Sequence, residues 1–244
     1  MKCRLIILLL THTNKGDVMK VQFIVATRVS LVDFYTKTAT GKSLGLYQSP
    51  DLAVHVFPEN KASLSAIYNS AIERFANEEC ILVFAHDDLH ITDFYWVHSV
   101  FNGLQHFGVV GLAGNVNRVP FQPSWAFKNI DFEWDAPQNL SGIVGHGKQF
   151  PPNQLSVFGP PFREVKLLDG LFLAAFSVTL KKSNLRFDER FNFHFYDIDF
   201  CRQAELLGVS MGTIPLSLVH ESGGSFGSQG WKDAYKKYIE KWGS

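Results

Sequence analysis

Two acidic clusters and one late histidine are the residues whose types and spacing could do chemistry. His86-Asp87-Asp88 follows directly on the apolar run Cys80–Ala85 (CILVFA). Adjacent carboxylates repel unless a cation or hydrogen-bond donors neutralise them, and oxygen ligands suit Mg2+ or Mn2+. The same two aspartates could instead end a strand and cap the helix that follows. Asp197 and Asp199 flank Ile198 at the start of a helical stretch, where free N–H groups and the macrodipole favour carboxylates. A cap accounts readily for one of them; the other could accept a proton from a hydroxyl. His220 follows the apolar run Leu216–Val219 and precedes a Gly/Ser-rich loop, ESGGSFGSQG. A neutral imidazole there could complete the coordination of a metal held by Asp88, or it could be a structural residue at a strand end. Loops of this composition often close over bound substrates. No role is assigned to His55, His90, His98, His106, His146 and His194.

These groups need elements to position them. VQFIVA (Val21–Ala26) and CILVFA read as short buried strands, LAVHVF (Leu52–Phe57) as a second strand closed by Pro58, and VVGLA (Val109–Ala113) as a fourth. Leu31–Tyr47 reads as a helix and loop. Ala62–Phe75 carries Leu64, Ile67, Ala71, Ile72 and Phe75 at helical spacing, and Thr92 is placed to cap a helix running to about Phe107. Strand and helix alternating in this rhythm predict a parallel α/β sheet with right-handed crossovers. In open sheets of this kind ligands sit beyond the carboxyl ends of the strands. Thr27-Arg28 and His86-Asp87-Asp88 stand at such ends. From Asn115 to Lys166 the rhythm breaks into Pro, Gly, Asn and aromatic residues, which predicts irregular loops and short antiparallel strands beside the sheet. Trp125, Phe127 and Trp134 in this stretch offer ring faces to a sugar, although core packing would explain them equally well. Order resumes with Leu171–Leu180, a strand at Ser210–Ile214 and a helix from Trp231 to Trp242.

Composition limits the classes of function. The chain has 244 residues with 23 basic and 23 acidic side chains, so no excess positive charge exists for nucleic-acid phosphates. Hydrophobic residues make up 46%, enough for a substantial core and against disorder. Cys3, Cys80 and Cys201 are odd in number and widely spaced, which argues against a disulfide framework and for a reducing, cytoplasmic compartment. Residues 1–19 begin with a basic-apolar segment, too short to span a bilayer and without a small-residue cleavage site. They are read as an extension to one domain covering 20–244, with a nucleotide-binding half (20–114) and an acceptor-side half (115–244).

The order of motifs resembles the GT-A glycosyltransferases, and most of all the family 2-type and glycosyltransferase-like enzymes. The features are Thr27-Arg28 after a strand, His86-Asp87-Asp88 after the third strand, Asp169-Gly170 before another, Tyr196-Asp197-x-Asp199-Phe200-x-Arg202, and His220. The run Phe187-Asp188-Glu189-Arg190-Phe191 leading into Tyr196-Asp197 is the most specific match. The likeness covers roughly Lys20–Gly227, with Asn115–Lys166 poorly matched. It implies a single, mostly parallel Rossmann-like sheet flanked by helices and carrying an irregular insertion. It also implies a nucleotide-sugar donor, commonly a UDP-sugar, a divalent cation (Mn2+ or Mg2+) and single displacement with inversion, as in polysaccharide biosynthesis. His86-Asp87-Asp88 falls where the family has its Asp-x-Asp, with His86 in place of the first Asp. By this resemblance Asp88 and His220 bind metal, and Thr27, Arg28, Asn60 and Asp87 contact the nucleotide. Asp197 is the catalytic base, with Tyr196 where a Glu is common. Asp169, Gly170 and Asp199 stand near the donor or acceptor sugar, Asp199 as the second acid and more as a structural residue than a reacting one. The acceptor would be a glycan or glycolipid hydroxyl, met by a cytoplasmic enzyme able to associate peripherally with the inner face of a membrane. Two other readings use the same residues. A metal-dependent nucleotide-sugar hydrolase would cleave its substrate without stimulation by an acceptor, and a sugar- or nucleotide-binding protein on the same fold would bind without turnover.

Overall fold

The computed structural model describes residues 19–47 and 49–243. In chain order its first half contains β1 (Lys20–Ala26), α1 (Leu31–Lys37), α2 (Ala39–Leu46), β2 (Leu52–Phe57), α3 (Leu64–Arg74), β3 (Cys80–Ala85), β4 (Leu89–Ile91), α4 (Trp96–Leu104), β5 (Val109–Gly111) and β6 (Ala113–Asn115). After a long irregular stretch come β7 (Leu140–His146), β8 (Gln154–Gly159), β9 (Leu167–Leu168), β10 (Phe172–Phe176), α5 (Ser177–Ser183), α6 (Tyr196–Leu206), β11 (Met211–Thr213), β12 (Leu218–His220) and α7 (Gln229–Trp242). No helix of the described residues is long and apolar enough to cross a membrane.

The expected strands form, but they belong to two sheets rather than one. The first has the order β11-β5-β10-β3-β1-β2, with β2, β1 and β3 mutually parallel and β10 antiparallel between β3 and β5. The second has the order β4-β12-β7-β6-β9, with β8 paired to β7, and is mainly antiparallel. The predicted strand Val109–Ala113 is where the two meet. Its first part pairs with β10 and β11 in one sheet, and after Leu112 the chain pairs with β7 and β9 in the other. A five-residue apolar run shows burial on both faces but carries no sign of a change of partner, so the switch was invisible in the pattern. β10 is antiparallel because it re-enters the sheet directly from β9, without the helical crossover that a parallel return requires.

All six residues of β3 are buried, as a central strand covered on both faces should be. Phe23, Trp96 and Phe172 meet edge to face with centroids 5.8–6.4 Å apart. Each such buried side chain contributes roughly 1.5–3 kcal/mol. The core is continuous across both halves of the chain, and the thiols of Cys80 and Cys201 are buried in it and unpaired.

Two helix boundaries differ from expectation for local reasons. Thr38 ends α1 and begins α2, because its extended backbone interrupts the helix while its side chain accepts from the Gly41 N–H. Thr92 caps nothing; its hydroxyl donates to the Ser217 carbonyl, and α4 starts only at Trp96. The β7–β8 hairpin is a two-faced wall. Val144, His146, Ser156 and Phe158 face inward along a cavity, while Ile143, Leu155 and Val157 point outward and are exposed.

Candidate active site

β3 ends at Ala85, and the next three residues turn under tight backbone control. The Thr40 hydroxyl donates to the His86 carbonyl at 2.7 Å, and the Thr40 N–H donates to the Asp87 carbonyl at 3.1 Å. The His86 N–H donates to the Leu171 carbonyl, and the Glu221 N–H donates to the Asp88 carbonyl. These bonds bring the start of β10 and the end of β12 to the tip of β3. As a result His86, Asp88 and His220 each present one ligand atom, all within 4.8 Å of one another.

The protonation of His86 and Asp88 suits a cation, and His220 would release its proton on binding one. Tyr196 Oη donates its single proton to the Gly170 carbonyl at 2.8 Å, so it must accept from His86 Nε2 at 2.9 Å. His86 therefore carries its proton on Nε2 and keeps the Nδ1 lone pair free. Burial lowers the His86 pKa and keeps the ring neutral, outweighing the nearby carboxylates. Burial pushes the Asp88 carboxyl up, but the hydrogen bond and charge of His220, with help from His86 and Ser222, hold it well below the usual carboxylate range. His220 Nε2 lies 3.4 Å from Asp88 Oδ2; burial works against its charged form, yet Asp88 raises its pKa overall. Asp88 Oδ1 is buried with no hydrogen-bond partner. A buried oxygen left unpaired costs about 1–3 kcal/mol, and a cation would relieve it. Two imidazoles and a carboxylate, one of its oxygens orphaned, fit a divalent metal ion.

Asp197 approaches the same cavity from the first turn of α6. The helix is entered through Phe195, held at φ 66° and packed against Trp231, Tyr235 and Tyr238. A bulky residue in that region costs of order 1–3 kcal/mol and persists only where its surroundings enforce it. Asp197 Oδ2 accepts from the Gly170 N–H at 3.1 Å. Burial and then the charge of Asp169 push the Asp197 carboxyl up to about 7, against backbone N–H groups that favour its ionised form. Asp169 has both oxygens engaged, Oδ1 by the Leu171 N–H at 3.0 Å and Oδ2 by the Trp125 indole at 2.7 Å. Gly170 has to be glycine. A Cβ there would lie 2.3 Å from Tyr196 Oη and 2.9 Å from Asp197 Cβ.

The cavity that joins these groups has a volume of about 440 Å³. Asp87, Asp88, Asp169, Gly170, Asp197 and His220 all line it. Thr27 is buried beside it and reaches it only through Asp87, to which its hydroxyl donates at 2.5 Å. Arg28 is exposed on the turn after β1 and does not line the cavity. Asn60 is spent on its own loop, its side chain bonding the N–H and carbonyl of Ala62 while its backbone N–H donates to the Thr27 carbonyl.

Asp199 is a correction. It was expected near a sugar, but it is fully buried away from the cavity. Its oxygens accept from Lys241 at 2.6 Å, Trp242 at 2.7 Å and Gln203 at 2.7 Å. Residues two apart on a helix point roughly 200° apart, so the two aspartates of one turn could not both face the site.

Three functional residues escaped the sequence. His86 was read as the replacement of a ligand, whereas it stands with Asp88 and His220 in the group that could hold a metal ion; the turn after β3 brings it there, and no periodic pattern announces a turn. Tyr196 orients His86, and the Trp125 indole holds Asp169. No local pattern announces either contact, because each joins distant segments.

The profile of the "Glycosyltransferase like family" matches residues 33–218 of the chain. No curated protein matches it in sequence. In fold it is similar to GalNAc-T7, solved with UDP, GalNAc and Mn2+, at a TM-score of 0.53 and 10% identity; the likeness covers 93% of this chain and 49% of that one. The chain thus spans about half the length of that relative. The catalytic domain of Drosophila β1,4-galactosyltransferase 7 with xylobiose aligns over 90% of this chain and 80% of that one, at 11% identity and a TM-score of 0.47. A match of this extent, over a GT-A fold whose strand ends carry the acidic and histidine cluster, means that the chain belongs to the glycosyltransferase-like family.

Proposed function

We propose that the protein is a metal-dependent, inverting glycosyltransferase that moves a sugar from a nucleoside-diphosphate sugar, with UDP the first candidate, to a glycan or glycolipid hydroxyl. The observation that carries this reading is one cavity holding a three-ligand group with an orphaned carboxylate oxygen together with a carboxyl poised near 7. His86, Asp88 and His220 would hold the cation, and two imidazoles in the set favour Mn2+ over Mg2+. When bound, it supplies Lewis-acid stabilisation of charge on a departing diphosphate. The need for it is electrostatic. Four aspartates line the cavity, and no lysine or arginine among the described residues does, so a diphosphate alone would be repelled.

The chain's own residues do the rest. Asp197 accepts the proton of the attacking hydroxyl, and its pKa near 7 suits a base at neutral pH. The Gly170 N–H aims that carboxylate, and Tyr196 keeps His86 in its ligating tautomer. Asp169, with both oxygens hydrogen-bonded, is poorly placed to act as a nucleophile, which supports one displacement with inversion rather than two. The GalNAc-T7 structure, of the same fold, contains UDP, GalNAc and Mn2+.

Calorimetric titration with UDP, GDP and dTDP, each in Mn2+ and in excess EDTA, tests the reading. One nucleotide should bind, and EDTA should abolish its binding. Absence of binding to all three, or binding indifferent to EDTA, would overturn it.

A further inference from the structure

The wall of the cavity facing the acidic cluster is aromatic, and one ring on it is prepared for a ligand. Trp134 lines the cavity and is 52% exposed, although large aromatic side chains are usually buried. It is nevertheless held in place. Phe158 stacks on it at 5.9 Å with 22° between the planes, and Phe127 meets it edge-on at 5.1 Å. The backbone around it is closed by the bridge between Phe127 and Trp134, and by the Lys128–Glu133 ion pair at 2.6 Å. An immobilised indole that remains half uncovered is a flat platform, and ordering it costs a ligand little further entropy.

Polar groups lining the same cavity include the Ser124, Ser156, Ser222 and Ser225 hydroxyls and the His146 imidazole, while Lys128, the cation nearest to Trp134 in sequence, is paired with Glu133 and does not line it. None of these lining groups is a fixed cation. Around the whole cavity the formal charges are those of Asp87, Asp88, Asp169 and Asp197, with no lysine or arginine among the described lining residues. A divalent cation accompanied by a nucleoside diphosphate brings no net positive charge to reverse that field.

We propose that Trp134 is the platform of the acceptor subsite, and that it selects a neutral pyranose, stacked through its C–H face, over an anionic sugar. This rests on the transferase reading above and adds the acceptor class to it. Ring C–H groups carry slight positive charge and suit the negative face of an indole, while the serine hydroxyls can bond sugar hydroxyls at the ring edge. A uronate or phosphorylated sugar would bring a further negative charge towards four carboxylates without a fixed cation to receive it.

Saturation-transfer NMR tests this on the full chain, using methyl glucoside, galactoside and mannoside and the uronates of the same three configurations, with Mg2+ and UDP present. At least one neutral sugar should receive saturation, chiefly on its ring C–H protons, and its uronate should bind roughly tenfold more weakly or worse. Trp134→Ala should abolish the transfer and Trp134→Tyr should restore much of it. Equal binding of a uronate, no binding of any neutral sugar, or an unchanged signal in Trp134→Ala would each overturn the proposal. UDP titration in parallel separates the two readings. Nucleotide bound without sugar sinks the acceptor subsite alone, whereas sugar bound on Trp134 with no nucleotide bound sinks the transferase reading.

Discussion

The two sides of the first turn of α6 do opposite work with the same residue type. On one side Asp197 faces the cavity, held by the Gly170 N–H and crowded by the charge of Asp169. On the other, Asp199 is enclosed by Lys241, Trp242 and Gln203, and Lys241 is shared with Asp188 at 2.7 Å. Burial raises the pKa of both carboxyls. What separates them is the partner. Asp197 meets backbone N–H groups and another carboxylate, so its carboxyl is left to titrate near neutral pH. Asp199 meets a cation and two fixed donors, so it clamps α7 onto the fold. An acid positioned for chemistry is under-satisfied, and an acid positioned for structure is not.

The largest effect that could break this contrast is on turnover. Asp197→Asn should lower kcat by about 10²–10⁴ while nucleotide affinity stays within about twofold, the signature of a lost general base. Steady-state kinetics beside nucleotide titration would check it, and an equal loss of affinity would place Asp197 in donor binding instead. The same substitution should stabilise the fold at alkaline pH. With its pKa raised from 3.8 to about 7, Asp197 favours folding while protonated, and that contribution is lost as pH rises from about 4 through 7. The variant should gain up to about 4 kcal/mol over the natural chain at pH 8 and almost nothing at pH 4, measured by urea unfolding. A gain that does not depend on pH would show that ionisation is not its source.

Asp199→Ala should do the reverse. It strands the Trp242 and Gln203 donors and leaves Lys241 with Asp188 alone, at a cost of about 3 kcal/mol. Turnover per folded molecule should change less than about threefold. A kcat loss as large as that of Asp197→Asn at unchanged stability would erase the distinction between the two sides.

Gly170→Ala probes how closely the reactive side is packed. The new methyl must displace Tyr196 Oη or Asp197, for about 1–3 kcal/mol of stability and a marked loss of kcat. A fully active, equally stable alanine variant would show that the contact has slack. A smaller effect on function is expected from Tyr196→Phe, which frees His86 to turn and should weaken Mn2+ affinity about tenfold, at about 1–3 kcal/mol of stability because the buried Gly170 carbonyl loses its donor. Unchanged affinity by metal titration would remove Tyr196 from its orienting role.

The legibility of this protein divides along physical lines. The strands at Val21–Ala26 and Cys80–Ala85 were readable because burial on both faces leaves mainly apolar runs, and the half-buried edge strand Leu52–Phe57 because its residues are mostly apolar and Pro58 closes it. Asp88, Asp197 and His220 were singled out because their neighbours in sequence carried the clue, and all three line the cavity. The sheet change at Leu112, the Thr92 contact and the burial of Asp199 were not readable. Each depends on a partner from a distant segment, such as Ser217 for Thr92 and Lys241 for Asp199.

The sequence by itself therefore determined which segments could be buried strands, which helices could cover them, and that carboxylates and histidines would gather at strand ends. Only the tertiary structure decided that His86 joins Asp88 and His220, that Trp125 holds Asp169, and which of two aspartates on one helical turn meets the cavity. Apolar periodicity is a local property, repeated every few residues. Ligand geometry and carboxylate environment come from strand order and helix docking, set by the packing of segments that the chain brings together from far apart.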